Sequence, residues 1–175
     1  MSKLNWAWSV HRFYTICYDE RYEDDVAIVK RWLDATLELG QQKYGIARPT
    51  RRGRYLHTTV FLPPVATQGT RRGEVINYCC YEDDGSGYHA EIHYLTPSAW
   101  GRLALGPLWI PVEDLHPSLV VHEMSNLMHY SLEPDSRLTS WIREGLAEYD
   151  GFFYSTAYNR TTAIDSLIRY VHQHD

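Results

Sequence analysis

Two short segments in the last third of the chain constrain it most, because they place polar side chains at helical spacing. The first reads His-Glu-Met-Ser-Asn over residues 122–126, and the second reads Trp-Ile-Arg-Glu-Gly-Leu-Ala-Glu-Tyr over residues 141–149. Residues four apart lie on one side of a helix, one turn from each other. Each segment contains one such polar pair, His122 with Asn126 and Glu144 with Glu148. We therefore expect two adjacent helices that bring these side chains together.

Each of these helices has a recognisable start. Pro117 suits a first helical turn, and Thr139 or Ser140 is an acceptable cap for the second helix. The first helix should bury one apolar stripe: Val120, Val121, Met124, Leu127 and Met128. Its opposite stripe carries the polar residues, with Glu123 beside them: His122, Asn126 and His129. Two shorter helices are predicted after these, over Tyr154–Tyr158 and Ala163–Val171.

The first 116 residues predict one long helix and several strands. Apolar residues at helical spacing and an acidic first turn indicate a helix over Glu23–Tyr44, which Gly45 closes. The predicted strands, the last two of them a hairpin, are residues 12–18, 55–62, 74–81 and 88–95. Residues 96–116 are rich in proline and glycine and are predicted to be irregular.

This order of elements predicts an α+β fold. The N-terminal helix and the C-terminal helices should pack on one face of a mostly antiparallel sheet. A chain of 175 residues fits a single domain over residues 1–175. Within it, residues 1–116 form the strand, helix and sheet half, and residues 117–175 form the helical half.

Charge and composition exclude several classes of partner. The net charge of -5, with no long basic run, argues against nucleic acid. No apolar stretch reaches the ~20 residues that a membrane span requires, and no signal peptide is visible, so a cytoplasmic location is favoured. The three cysteines include the adjacent pair Cys79 and Cys80, which argues for buried thiols rather than a disulfide framework. None of these features indicates an oligomeric state.

Histidine and glutamate in this pattern are typical of a metal site that activates water. Catalytic zinc takes three protein ligands and leaves one position for water. His122 supplies an imidazole, Glu144 is the candidate ligand from the neighbouring helix, and Glu123 is placed to act as general base. Glu148, one turn beyond Glu144, can accept the remaining ring N–H of His122 and fix its orientation.

These motifs resemble the gluzincin branch of zinc metallopeptidases, and in particular its small peptidase-MA-like domains. Such domains join a His-Glu-x-x-His helix to a second helix of the form Trp-hydrophobic-x-Glu-Gly-x-Ala-Glu-Tyr, which residues 141–149 match. The resemblance implies a zincin-like fold, one Zn²⁺ ion, and cleavage of a peptide or protein substrate. It places Asn126 where the family has its second histidine.

Asn126 weakens the expected zinc site. Its amide oxygen is a neutral donor that suits calcium or magnesium better than zinc, and its side chain is shorter than that of histidine. We expect a weak or water-mediated ligand at this position, and a weakly held ion. His129 is an alternative ligand, although it lies two turns from His122, roughly 10 Å along the helix axis.

The motifs leave two functions open. One is a zinc-dependent peptidase in which Tyr154 or Tyr158 stabilises the oxyanion, packing being the alternative role of either tyrosine. The other is a catalytically silent relative that uses the same cleft to bind a peptide or a protein.

Overall fold

The computed structural model describes residues 4–51, 53–64, 79–83, 88–100, 112–132 and 141–151. Its strands are β1 (Trp6–Val10), β2 (Tyr14–Asp19), β3 (Thr50–Arg51), β4 (Arg54–Leu62), β5 (Cys79–Asp83) and β6 (Tyr88–His93). Its helices are α1 (Glu23–Tyr44), α2 (Pro97–Trp100), α3 (Val112–Leu132) and α4 (141–151). A 3-10 turn over Glu20–Tyr22 precedes α1. The helices predicted over Tyr154–Tyr158 and Ala163–Val171 lie outside the described residues.

The fold is α+β, and its sheet is mixed. The strand order is β1-β2-β4-β6-β5, and β3 pairs with the start of β4. The two central pairings, β2 with β4 and β4 with β6, are parallel, whereas the outer pairings are antiparallel. The sequence analysis predicted a mostly antiparallel sheet. The chain instead returns through α1 between β2 and β4, and a crossover of this kind makes two neighbouring strands parallel.

The strands confirm the predicted hairpin and add two elements that were not predicted, β1 and the two-residue strand β3. β5 and β6 pair antiparallel, with Cys79 opposite Ile92, as predicted for the third and fourth strands. β1 was not predicted and forms one edge of the sheet beside β2. The thiol of Cys17 on β2 is buried as predicted, and burial raises its pKa to about 11, so it is unreactive.

α1 forms as the sequence predicts. Val26, Val29, Leu33 and Leu37 are buried on one side of it, and its first turn is acidic. Gly45 ends the helix at a φ of 70°, the left-handed region that glycine enters without strain. Its N–H donates to the carbonyl of Gln41, which satisfies one of the last carbonyls of the helix.

α3 begins earlier than predicted. It starts at Val112, so Pro117 lies in its second turn rather than its first. Residues 96–116 were predicted to be irregular, but α2 (Pro97–Trp100) and the start of α3 (residues 112–116) are helical parts of that segment. The predicted apolar stripe is confirmed, because all of its members are buried: Val120, Val121, Met124, Leu127 and Met128.

α1 and α3 pack on the same face of the sheet. Their buried side chains form one core with those of the central strands, among them Ile16, Val60 and Ile92. The helices approach closely at Gly40, where a Cβ atom would lie 1.8 Å from the end of the Met128 side chain. Gly145, a glycine of the second motif, makes no such close contact on α4, because among the described residues no atom lies within 4 Å of where its Cβ would be.

None of the described helices is both long enough and apolar enough to cross a bilayer.

Candidate metal centre

α3 presents three polar residues next to the apolar core. Glu123 and Asn126 are almost completely buried, with exposed fractions of 7% and 6%, and the side chain of His122 is 11% exposed. Valine, leucine and methionine side chains of the same helix fill the core beside them. Polar groups with this degree of burial cost free energy unless something pairs with them.

α4 brings two carboxylates to the two ring nitrogens of His122. Nε2 of His122 lies 3.1 Å from Oε2 of Glu144, which is a hydrogen-bond distance. Nδ1 lies 3.4 Å from Oε1 of Glu148, and this contact is not aligned as a hydrogen bond. The side chains of Glu144 and Glu148 are 51% and 71% exposed, so the site is open to solvent on the α4 side. The structure thus brings together His122, Glu144 and Glu148, which the sequence analysis grouped.

Glu123 lies in an environment that disfavours its charge. Burial is the largest cause that raises the pKa of its carboxyl; His122 lowers this pKa, the carboxylates of Glu144 and Glu148 raise it by smaller amounts, and the net value is about 7. A carboxyl with this pKa can both accept and release a proton near neutral pH. Carboxyl groups perturbed in this way are concentrated at functional sites.

Asn126 carries a buried oxygen that the described residues do not satisfy. Its Oδ1 has no hydrogen-bond partner in the described part of the chain. An unsatisfied polar atom in the interior costs about 1–3 kcal/mol. A cation or a donor group bound at this oxygen would remove that cost.

The donor atoms fit a divalent cation in part. Ligands at ~2.0–2.1 Å from one tetrahedral zinc ion lie roughly 3.3 Å from each other. Nε2 of His122 and Oε2 of Glu144 are 3.1 Å apart, close to that separation. Across the described residues, however, no three His, Cys, Asp or Glu side chains are grouped so that they could hold a metal ion. A cation here would have two strong ligands, and Asn126 is the candidate for a third, neutral one.

His129 belongs to a different cluster. Its Nε2 lies 3.3 Å from Oδ2 of Asp150, and its ring packs edge-on against Tyr44. The structure does not bring it together with His122, so the alternative ligand role of His129 finds no support. Tyr154 and Tyr158, the candidates for oxyanion stabilisation, lie outside the described residues.

Asp150 is the functional candidate that the sequence analysis missed. Its buried carboxylate contacts Lys43, Tyr44 and His129, and we call these four residues the Asp150 cluster. Burial alone would raise the pKa of Asp150, but the neighbouring His129 ring and the hydrogen bonds from Lys43 and Tyr44 hold this pKa below its usual value. No sequence signal indicated the cluster, because Lys43 lies 107 positions away from Asp150.

Comparison with known proteins gives no relative. No protein-family model matches the chain, and neither a curated protein nor a solved structure matches it significantly.

Proposed function

We propose that this chain is a metal-dependent hydrolase that cleaves peptide bonds and has a zincin-like arrangement of α3 and α4. The observation that carries the proposal is the 3.1 Å contact between Nε2 of His122 and Oε2 of Glu144, two ligand-type atoms on different helices. The resemblance of residues 122–126 and 141–149 to the gluzincin motifs supports the same function. The proposed substrate is a peptide or a protein, and the proposed cation is zinc.

Each residue of the site then has a role. A divalent cation held by His122 and Glu144 would polarise the scissile carbonyl and make a water molecule more acidic. Glu123 would act as the general base, which accepts a proton from the attacking water and donates it to the leaving amine, and a carboxyl with a pKa of about 7 is suited to this role. Glu148 contacts Nδ1 of His122 and holds the ring in place. Asn126 contributes only a neutral oxygen, so the cation is held weakly.

A second candidate function is a catalytically silent peptide- or protein-binding module. The absence of a three-residue group of His, Cys, Asp or Glu suited to a metal, within the described residues, favours this alternative. In that case α3 and α4 keep the shape of a hydrolase cleft, and the carboxylates of Glu144 and Glu148 bind a partner directly. Such a protein would bind peptide equally well with and without a chelator.

Metal content and proteolysis of the full chain test the proposal. We expect zinc to be retained at one ion per chain when zinc is present in excess, and unstructured casein to be cleaved in a reaction that a chelator stops. Glu123→Gln should abolish cleavage and leave zinc binding intact, because the general base is lost and the ligands are not. Glu38→Gln, on the exposed side of α1, is the matched control and should change neither.

The outcomes separate the two candidates. Zinc binding without cleavage by any preparation, together with peptide binding that ignores the chelator, would favour the silent module. Failure of the chain to bind zinc at any concentration below precipitation would remove the hydrolase proposal.

A further inference from the structure

α4 is a mostly exposed helix that nevertheless carries both carboxylates of the site. Ala147, Asp150 and Gly151 are its buried residues, whereas most of its other side chains face solvent in whole or in part. A helix that buries so little apolar surface gains little from packing, and segments of this kind open locally at low free-energy cost. The distance between Glu144 and His122 therefore depends on how the rest of α4 is held.

The carboxylate of Asp150 ties α4 to both other long helices. Its side chain is 0% exposed, and it forms an ion pair with Nζ of Lys43. The hydroxyl of Tyr44 donates to it, with distances of 2.9 Å and 3.0 Å to the two carboxylate oxygens. Nε2 of His129 lies 3.3 Å from Oδ2. One side chain of α4 thus contacts the C-terminal end of α1 and the second half of α3.

These contacts are stronger than ordinary surface contacts. Hydrogen bonds to a charged group stabilise more than hydrogen bonds between neutral groups, and a buried charge that loses its partners is strongly destabilising. Lys43 also lies over the ring of Tyr149, at 4.5 Å from its centroid, which adds a second contact between α1 and α4. The Asp150 cluster and the His122 contacts are therefore two separate points at which α4 meets the body of the protein.

We propose that Asp150 is a positioning residue, which fixes α4 on α1 and α3 so that Glu144 and Glu148 face His122. The expected effect of Asp150 on zinc binding rests on the proposed function. The fixing of α4 by Asp150 does not depend on any metal. Asp150 itself touches neither substrate nor cation in this proposal. It acts through the rigid helix that it shares with the two glutamates.

Hydrogen exchange and zinc affinity of the full chain test this inference. In Asp150→Asn we expect the amides of residues 141–151 to exchange at least about tenfold faster without metal, while those of α1 residues 26–37 change by less than about twofold. Zinc affinity should fall by roughly 10–100-fold, the usual effect of removing a residue that supports a metal ligand. Lys43→Met should give the same faster exchange and the same loss of zinc affinity. Lys43→Arg keeps a cation beside Asp150 and should retain most of the exchange protection and zinc affinity of the unmodified chain.

Asp34→Asn is the matched control. Asp34 has the same two kinds of partner away from α4, because it accepts a hydrogen bond from Tyr14 at 2.6 Å and pairs with Lys30, although its side chain is 49% exposed. It should leave both α4 exchange and zinc affinity unchanged.

Two results would overturn the inference. One is unchanged exchange of residues 141–151 in both Asp150→Asn and Lys43→Met. The other is an equal acceleration in α1 and α4, which would show a general loss of stability. If Asp150→Asn does not fold, Tyr44→Phe is the variant that tests the inference, because it removes the tyrosine hydroxyl and leaves the ion pair with Lys43. The same hydrogen-exchange pattern in residues 141–151 is then expected. If the unmodified chain binds no zinc, the proposed function fails, and the exchange result still decides the role of Asp150.

Discussion

Replacing Asn126 by histidine should raise the affinity of the chain for zinc. The substitution restores an imidazole one helical turn from His122, on the face of α3 that meets Glu144. It also removes a buried amide oxygen that has no hydrogen-bond partner among the described residues. The third protein ligand would then be a nitrogen donor that zinc prefers to a neutral oxygen.

The magnitude follows from the ligand count. Sites with four protein ligands bind zinc with about 10–16 kcal/mol, so one ligand contributes on the order of 3 kcal/mol. Asn126 is 6% exposed, and a larger ring at a buried position costs about 1–3 kcal/mol in packing. Part of this packing cost, on the order of 1 kcal/mol, falls only on the metal-bound state, where the ring must adopt the orientation that the cation requires. Subtracting it leaves about 2 kcal/mol, so the net gain in zinc affinity is roughly 10–100-fold.

Competition with a chromophoric chelator measures this gain directly, and thermal unfolding measures it independently. A ligand at 100 times its Kd stabilises the folded state by about 2.7 kcal/mol. For a protein of this size, 1 kcal/mol shifts Tm by about 2–4 °C. At zinc concentrations well above both Kd values, a 10–100-fold gain in affinity adds about 1.4–2.7 kcal/mol of stabilisation, so zinc should raise the Tm of Asn126→His by about 3–11 °C more than it raises the Tm of the unmodified chain.

Two controls make the result interpretable. Asn126→His combined with Glu144→Gln should lose most of the gain, since the second strong ligand is gone. Leu132→His places an imidazole at an exposed position of the same helix and should not increase affinity. If Asn126→His binds zinc no better than the unmodified chain, then position 126 does not face the proposed site, and the metal centre is wrongly placed.

The remaining predictions concern single buried contacts outside the ligand set. Because burial raises the pKa of Glu123 to about 7, its ionisation destabilises the folded state as pH rises through the interval between about 4.5 and 7. Glu123→Gln should therefore increase the unfolding free energy of the metal-free chain by up to about 3 kcal/mol at pH 8 and leave it almost unchanged at pH 4, measured by urea denaturation; a difference independent of pH would contradict this. The buried carboxylate of Asp25 accepts three hydrogen bonds at the start of α2, so Asp25→Ala should cost about 1–3 kcal/mol, against less than about 0.5 kcal/mol for its exposed neighbour in Asp24→Ala. Gly40→Ala places a Cβ atom 1.8 Å from the present position of the Met128 Cε atom and should destabilise by about 1–2 kcal/mol. Combining it with Met128→Ala should cost less than the sum of the two single changes, and strict additivity would refute the steric explanation.

The sequence predicted those elements whose pattern is local. α1 has apolar residues at helical spacing, an acidic first turn and Gly45 after its last turn, and its observed bounds are Glu23–Tyr44. The β5–β6 hairpin needs only neighbouring strands and was also predicted. In both cases the residues that decide the structure lie within one helix or one hairpin.

The sheet order could not be predicted in the same way. The parallel pairing of β2 with β4 depends on the path of the chain through α1, which periodicity within a strand does not encode. β1 was missed because its residues Trp6 and Trp8 are exposed, so no buried stripe indicated a strand. A mostly antiparallel sheet was a reasonable inference from hairpin signals, and it was wrong for the centre of the sheet.

The site divides along the same line. Motif spacing predicted that Glu144 and Glu148 would approach His122, and their carboxylates lie at its two ring nitrogens. The Asp150 cluster joins α1, α3 and α4 through residues far apart in sequence, and no short motif describes it. Gly145 belongs to the second motif, but the close approach between two helices, α1 and α3, occurs at Gly40. No motif marks Gly40, and its role is visible only in the packing of α1 on α3.

The burial of Glu123 bears on which of the two candidate functions is right. A module that only binds peptide gains nothing from a carboxyl group whose pKa is raised to about 7, because that burial destabilises the fold at neutral pH. A hydrolase needs such a group, since a general base is most effective when its pKa lies near the working pH. Asn126 argues in the opposite direction, because it weakens the metal on which a hydrolase depends. Under the proposed function, a chain with both features is a hydrolase with weak cation affinity, and its activity should then rise with zinc concentration well beyond one equivalent.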